Sequence, residues 1–273
     1  NFGAGSVATL AMVTSANPVG VTYTTPGAKT VQLTITGPGG CSVTTSNVIT
    51  INPAPTSSFT STAPQCVGSA VNFTNKGSTG AGTTYFWDFG SGASPATSTS
   101  ENPTGVMYSA SGQKVVTLIT TNNFGCLTTS TQTITISATP VASFSSTAPK
   151  CTGANVDFTN TGTVVGVIWS WNFGSGATPA TSTLQSPTGI IYSTAGIKVV
   201  TLTTTNLTTG CTATVSATIN INQTPTSSFI SNAPQCANTG VNFTNTGSSG
   251  GQWTYFWDFG VGAVPSSSTL YNP

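Results

Sequence analysis

Tyr85-Phe86-Trp87-Asp88-Phe89-Gly90-Ser91-Gly92 is the most informative run in this sequence, because it comes back. It returns as Trp169-Ser170-Trp171-Asn172-Phe173-Gly174-Ser175-Gly176 and as Tyr255-Phe256-Trp257-Asp258-Phe259-Gly260-Val261-Gly262. The chain also opens on its tail, Asn1-Phe2-Gly3-Ala4-Gly5. Alternate residues of a strand face opposite sides. Tyr85, Trp87 and Phe89 therefore share one face, and Phe86 and Asp88 the other. In the second copy the first face is Trp169, Trp171 and Phe173, while the opposite face becomes Ser170 and Asn172. The face that stays aromatic is the core face, with Trp87, Trp171 and Trp257 as its anchors. The glycines end the strand in a turn that a Cβ would resist.

Working outward, the cysteines fall into two series with one period. Cys41, Cys126 and Cys211 are spaced by 85 residues, and so are Cys66, Cys151 and Cys236. Pro55, Pro140 and Pro225 keep the same step. A repeat of this length is at the small end for an independent domain. Residues 1–55 read as the back half of a repeat, 56–140 and 141–225 as complete repeats, and 226–273 as a front half.

Within residues 56–140 the pattern predicts strands at Ser58-Phe59-Thr60, at Ala70 to Asn75 and at the tryptophan run. Further strands follow at Lys114 to Thr120 and from Cys126 to Ile136, with turns at Ala63 to Cys66 and Asn123-Phe124-Gly125. About seven short alternating strands per repeat, punctuated by Gly, Pro, Asn and Ser, predict an all-β antiparallel sandwich. No stretch carries helical periodicity. The junctions, such as Ile136 to Val141, hold no flexible Gly/Ser run, so successive repeats are expected to touch, head to tail, in a semi-rigid rod.

Composition narrows the function. Of the 273 residues only 3% are charged, with five lysines, four acids and no histidine. The acids are Asp88, Glu101, Asp157 and Asp258; there is no arginine. A net charge of +1 offers no footprint for nucleic acid or an anionic membrane. No apolar run approaches the roughly 20 residues that span a bilayer. The chain shows neither initiator Met nor signal peptide, and reads as a mature piece or fragment.

The tryptophan run, with the later Gly-x-Lys-Val-Val-Thr-Leu strand at Gly112 to Leu118 and Gly196 to Leu202, resembles the PKD domain. That domain is an immunoglobulin-like module first described in polycystins. The resemblance covers essentially the whole chain and implies tandem immunoglobulin-like sandwiches. The cysteine placements, with Phe-Thr-Asn between, resemble PKD repeats of very large surface proteins of Bacteroidota-type bacteria, including gliding-motility adhesins. The family motif continues Gly-Asp-Gly, whereas Ser91, Ser175, Val261 and Ala4 occupy the middle place in this chain. A calcium site that used that acid is therefore not expected, and no metal or other cofactor is.

In the topology that the resemblance implies, Cys66 lies at the end where the last strand leaves the domain. Cys126 follows the turn at the opposite end, a strand length or roughly 30 Å away. A disulfide tolerates only about 4.4–6.8 Å between Cα atoms. The expected bridge is therefore between domains, Cys66 with Cys211. The simpler alternative is within repeats, Cys66–Cys126 and Cys151–Cys211.

Catalysis needs titratable groups held close together. Four acids spread over four repeats, without histidine, provide no such pair, so no enzymatic activity is expected. Calcium needs several converging oxygens, and each repeat offers one or two acids. Lys29, Lys114 and Lys198 fall in register with the core face. An isopeptide bond there would need an acid beside the lysine in every copy. Glu101 has no acidic counterpart in the second repeat, where Gln185 lies nearby. The expectation is a packed stem with its amine reaching water. Trp87, Trp171 and Trp257 read as core rather than as sugar platforms; Phe86 and Phe256, on the other face, are better placed for an exposed contact.

The function expected from these features is structural, a stalk or filament segment of a long extracellular repeat protein such as a bacterial surface adhesin or fibre. The rival is a PKD-like spacer or carbohydrate-binding module of a secreted hydrolase. Expected partners are further repeats of the same polymer, or neighbouring copies that complete the half-repeats, together with surface glycans. Nucleic acid and membrane insertion are not expected.

Overall fold

The structure, a computed structural model, describes residues 1–3, 6–7 and 16–273. Ala4 and Gly5 of the opening motif lie outside the described residues. The chain divides into two compact units, Asn1–Thr139 and Pro140–Pro273. Every regular element among the described residues is a β-strand.

In the first unit a five-stranded sheet has the spatial order Thr97–Ser98, Thr84–Asp88, Gly112–Thr121, Leu127–Ser137, Gln65–Cys66. We call Thr84–Asp88 the tryptophan strand, Gly112–Thr121 the lysine strand and Leu127–Ser137 the exit strand. The lysine strand alternates as its sequence dictates: Lys114, Val116, Leu118 and Thr120 point inward. Its register sets Leu118 opposite Trp87 and Thr120 opposite Tyr85. The following turn closes because the Asn122 Oδ1 accepts the N–H groups of Phe124 and Cys126 at 3.0 Å each. The exit strand then runs back to Ser137, which lies beside Cys66 in a short parallel pairing.

The opposing layer pairs Phe59–Ser61 with Phe73–Asn75, Met107–Tyr108 with Ala93–Ser94, and bridges Val71 to Val106. Between the layers lie Phe59, Phe73, Trp87, Phe89, Tyr108, Leu118 and Ile136. Phe59 meets Trp87 edge-on at 5.1 Å, and Phe73 stacks on Phe89 at 5.0 Å. The indole N–H of Trp87 donates to the Ser100 carbonyl at 2.8 Å, so the largest core side chain is also polar-satisfied.

The second unit repeats this plan. Its five strands run Lys150–Cys151, Thr212–Asn222, Gly196–Asn206, Val167–Asn172, Thr181–Ser182. Trp171 is buried against Phe144, Phe158 and Phe173, and its indole donates to the Leu184 carbonyl at 2.9 Å. The outward face of the sheet is dominated by hydroxyls. Thr201 meets Ser216 at 2.9 Å and Thr203 meets Thr214 at 3.0 Å, Oγ to Oγ, across the hairpin. The all-β immunoglobulin-like sandwich expected from the sequence is the observed fold.

The flanking segments carry the corresponding pieces. In the first unit Gly27–Thr36 pairs with Ser42–Ile51 in the register of the lysine and exit strands. In the second unit Phe229–Ser231 pairs with Phe243–Asn245, and Trp257–Asp258 with Ser267–Ser268. The aromatic stack is built there too, with Phe229 to Trp257 at 5.3 Å and Phe243 to Phe259 at 5.0 Å.

Candidate functional site

The acids come first, because chemistry would begin with them. Asp88 Oδ1 accepts the Gly90 N–H at 2.8 Å, and Asp258 Oδ1 accepts the Gly260 N–H at 3.0 Å. Asn172 does the same for Gly174 at 2.9 Å. The position is a turn cap that needs an acceptor, not a charge. Asp157 Oδ1 accepts the Gly189 N–H at 2.8 Å, and Asn72 serves Gly105 in the same way at 2.9 Å. Three of the four acids thus hold backbone in a role that asparagine fills in another copy. The exchange of Asp for Asn between copies was the available signal, and only in hindsight does it name the partner. Glu101 faces Tyr85, whose phenol is pushed up by burial and then by that carboxylate. Among the described residues no three His, Cys, Asp or Glu side chains gather to hold a metal ion. No helix among them is long and apolar enough to cross a membrane.

The lysines are more deeply buried than a stem with a wet amine. Lys29, Lys114 and Lys198 retain 7–9% of their exposure. The Lys29 amine donates to Thr25 Oγ1, and that of Lys198 to Thr194 Oγ1, each at 2.7 Å. Ala110 stands at this place in the first complete repeat, and there the Lys114 amine lies 5.9 Å from the Tyr108 ring centroid. A short-range hydroxyl or ring replaces water as the ammonium's partner. On the other side of the sheet, Phe86 and Phe256 are 46% and 76% exposed, as their alternation with the core anchors requires.

Cys66 and Cys211 are disulfide-bonded, while Cys41, Cys126, Cys151 and Cys236 are free thiols. The within-repeat alternative, Cys66–Cys126 and Cys151–Cys211, is therefore not formed. Its geometry explains why. Cys66 sits beside Ser137, at the far end of an 11-residue strand that begins just after Cys126. At about 3.3 Å per residue that separation is several times what a disulfide spans. Cys151 lies beside Asn222 in the same way, a full strand from Cys211.

The flanking segments present core faces to solvent. Leu33 is 57% exposed, whereas Leu118, one repeat later, is fully buried. Ile35 is 59% exposed, and its counterpart Thr120 is fully buried. At the other end Phe229 is 57% exposed against 3% for Phe59. It lines a groove of about 750 Å³ with Phe243, Tyr255, Trp257 and Phe259. In the complete repeats, the lysine strand lies opposite the residues equivalent to Trp257.

This architecture defines a tandem array of immunoglobulin-like sandwiches. Residues 52–138 match the PKD domain as a family. Among solved structures, the chain is similar to the PKD1 domain of Vibrio anguillarum Epp, at 29% identity. That match covers 32% of this chain and 98% of that one, with a TM-score of 0.27. A calcium-stabilised adhesin that helps an Antarctic bacterium reach out and bind ice is 14% identical, over 81% of this chain and 65% of that one, with a TM-score of 0.35. Murine CEACAM1b is 12% identical, over 62% of this chain and 100% of that one, with a TM-score of 0.28. No curated protein matches the chain.

Proposed function

We propose that this chain is a load-bearing segment of an extracellular stalk or filament, of the kind that carries a bacterial surface adhesin, and that it performs no catalysis. In this reading the repeats stack head to tail, and Cys66 of one complete repeat is bonded to Cys211 of the next. The observation that carries it is the position of Cys66. It is disulfide-bonded, and it lies beside Ser137, where the exit strand leaves its repeat. A bond made at that end, toward a following repeat, resists bending and pulling of the chain. Disulfides also fit an oxidising, extracellular setting, as does the PKD match at residues 52–138.

Peptide mapping without reduction tests the reading. A Cys66–Cys211 linked peptide is expected from the purified chain; a Cys66–Cys126 peptide would overturn it. The exposed Phe86 and Phe256 favour one second reading, a sugar-contacting module. A glycan array probed with the full chain separates the two, because the stalk reading expects no ligand lost on Phe86→Ala and Phe256→Ala substitution.

A further inference from the structure

We infer that the chain assembles with copies of itself: residues 27–51 of one copy dock on the open aromatic groove at 225–259 of another, complete a repeat in trans and bring all four free cysteines into pairs. The inference rests on the staple geometry proposed above, and extends it to a partner and an interface.

The two faces are each other's missing parts. In the complete repeats Leu118 lies opposite Trp87 and Thr120 opposite Tyr85, and Leu202 and Thr204 lie opposite Trp171 and Trp169. Carried to the flanking segments, that register sets Leu33 opposite Trp257 and Ile35 opposite Tyr255. Both sides of each pair are apolar or aromatic, and at present Leu33 and Ile35 are mostly solvent-exposed. The single charge on residues 27–51 is Lys29 and the single charge on 225–273 is Asp258, so no like charges oppose docking. The chain also holds a stand-in at the docking place. Asn1 exchanges two backbone hydrogen bonds with Gln32, at 2.9 and 3.2 Å. Gln32 is the counterpart of Thr117, which lies opposite Asp88. An incoming Thr254 to Asp258 strand replaces that two-bond contact with a ladder like that of Thr84–Asp88, and Asp258-Phe259-Gly260 takes over from Asn1-Phe2-Gly3.

The cysteines follow the same rule. If the entry cysteine of one repeat bonds the turn cysteine of the next, Cys151 meets Cys41 of the second copy within the repeat completed in trans. Cys236 then meets Cys126 in the second copy's complete repeat. Each bond joins two thiol sulfurs, releases two protons to water and passes two electrons to a disulfide oxidant such as oxidised glutathione, which leaves as two thiols. The four thiols found free are the four this scheme consumes.

The test mixes equal amounts of unlabelled and nitrogen-15-labelled full chain, reduces them, reoxidises them with glutathione and maps the linked peptides. The expected result is Cys151–Cys41 and Cys236–Cys126 peptides of mixed isotope, a ladder of multimers on non-reducing gels, and Cys66–Cys211 peptides of one isotope only. Cys41→Ser with Cys126→Ser should abolish the covalent ladder yet leave non-covalent multimers in light scattering. Leu33→Asp, at a surface already exposed, should abolish both. A monomer with four reactive thiols, or a Cys41–Cys126 or single-isotope Cys151–Cys41 bond, would overturn the inference. If Cys66–Cys211 forms in such a monomer, the stalk reading survives; if Cys66–Cys126 forms, both fall.

Discussion

Two hydroxyls show how far the core departs from an apolar ideal. Thr120 and Thr204 are fully buried, and neither Oγ1 has a hydrogen-bond partner. An unpaired buried hydroxyl costs about 1–3 kcal/mol. The flanking segment carries Ile35 at this place, so the scaffold accepts a β-branched apolar residue. Thr120→Val and Thr204→Val are expected to raise stability by about 1 kcal/mol each, read as a higher urea midpoint at unchanged slope. The core tyrosines give a pH dependence. The Tyr108 phenol is pushed up to about 12 by burial and then by Asp88, and that of Tyr192 to about 12 by burial. Each donates to a backbone carbonyl, Phe89 or Phe173, at 2.9 Å. The folded chain keeps these protons at a pH where unfolded tyrosines, near 10, have lost them. Their contribution is complete below pH 10 and is lost as the pH rises toward about 12, on the order of 2–3 kcal/mol for each tyrosine. Alkaline unfolding should therefore coincide with the appearance of phenolate absorbance.

At the scale of the element, the turn after the tryptophan strand is the least forgiving place. Gly90 and Gly174 have φ of +78° and +79°, and a Cβ on either would come within 2.6 Å of the Val115 or Val199 carbonyl oxygen. Gly68 has a similar φ, +77°, with open space around it. Gly68→Ala is expected to cost only the left-handed strain, about 1–2 kcal/mol. Gly90→Ala must in addition push two strands apart, and is expected to exceed that cost by at least about 1 kcal/mol. Thermal melts of the two variants side by side check the difference. The strand assignment itself was legible in the residues, since alternation around Trp87 and Lys114 is a local property. What the glycines clash with was not, because Val115 arrives from another strand.

For the whole molecule, stability comes from repeated aromatic cores and a few backbone caps rather than from ions. The carboxylates of Asp88, Asp157 and Asp258 are each engaged with a glycine N–H, and none converges with other acids. The melting temperature is therefore expected to be the same in EDTA and in calcium; a drop of many degrees with chelator would show a site that this arrangement does not provide.

The sequence alone determined the 85-residue period, the sandwich, its tryptophan anchors and the split of the flanking segments, because strand alternation and spacing are carried by neighbours along the chain. It also placed the lysines on the core side. The tertiary structure decided what each polar group meets there. The Lys198 amine finds Thr194, Asp157 finds Gly189, and Thr120 finds nothing. It decided as well which cysteines are oxidised and which remain thiols. Such partners come from other strands or turns, at distances set by sheet register and layer packing, and a one-dimensional pattern holds no record of them.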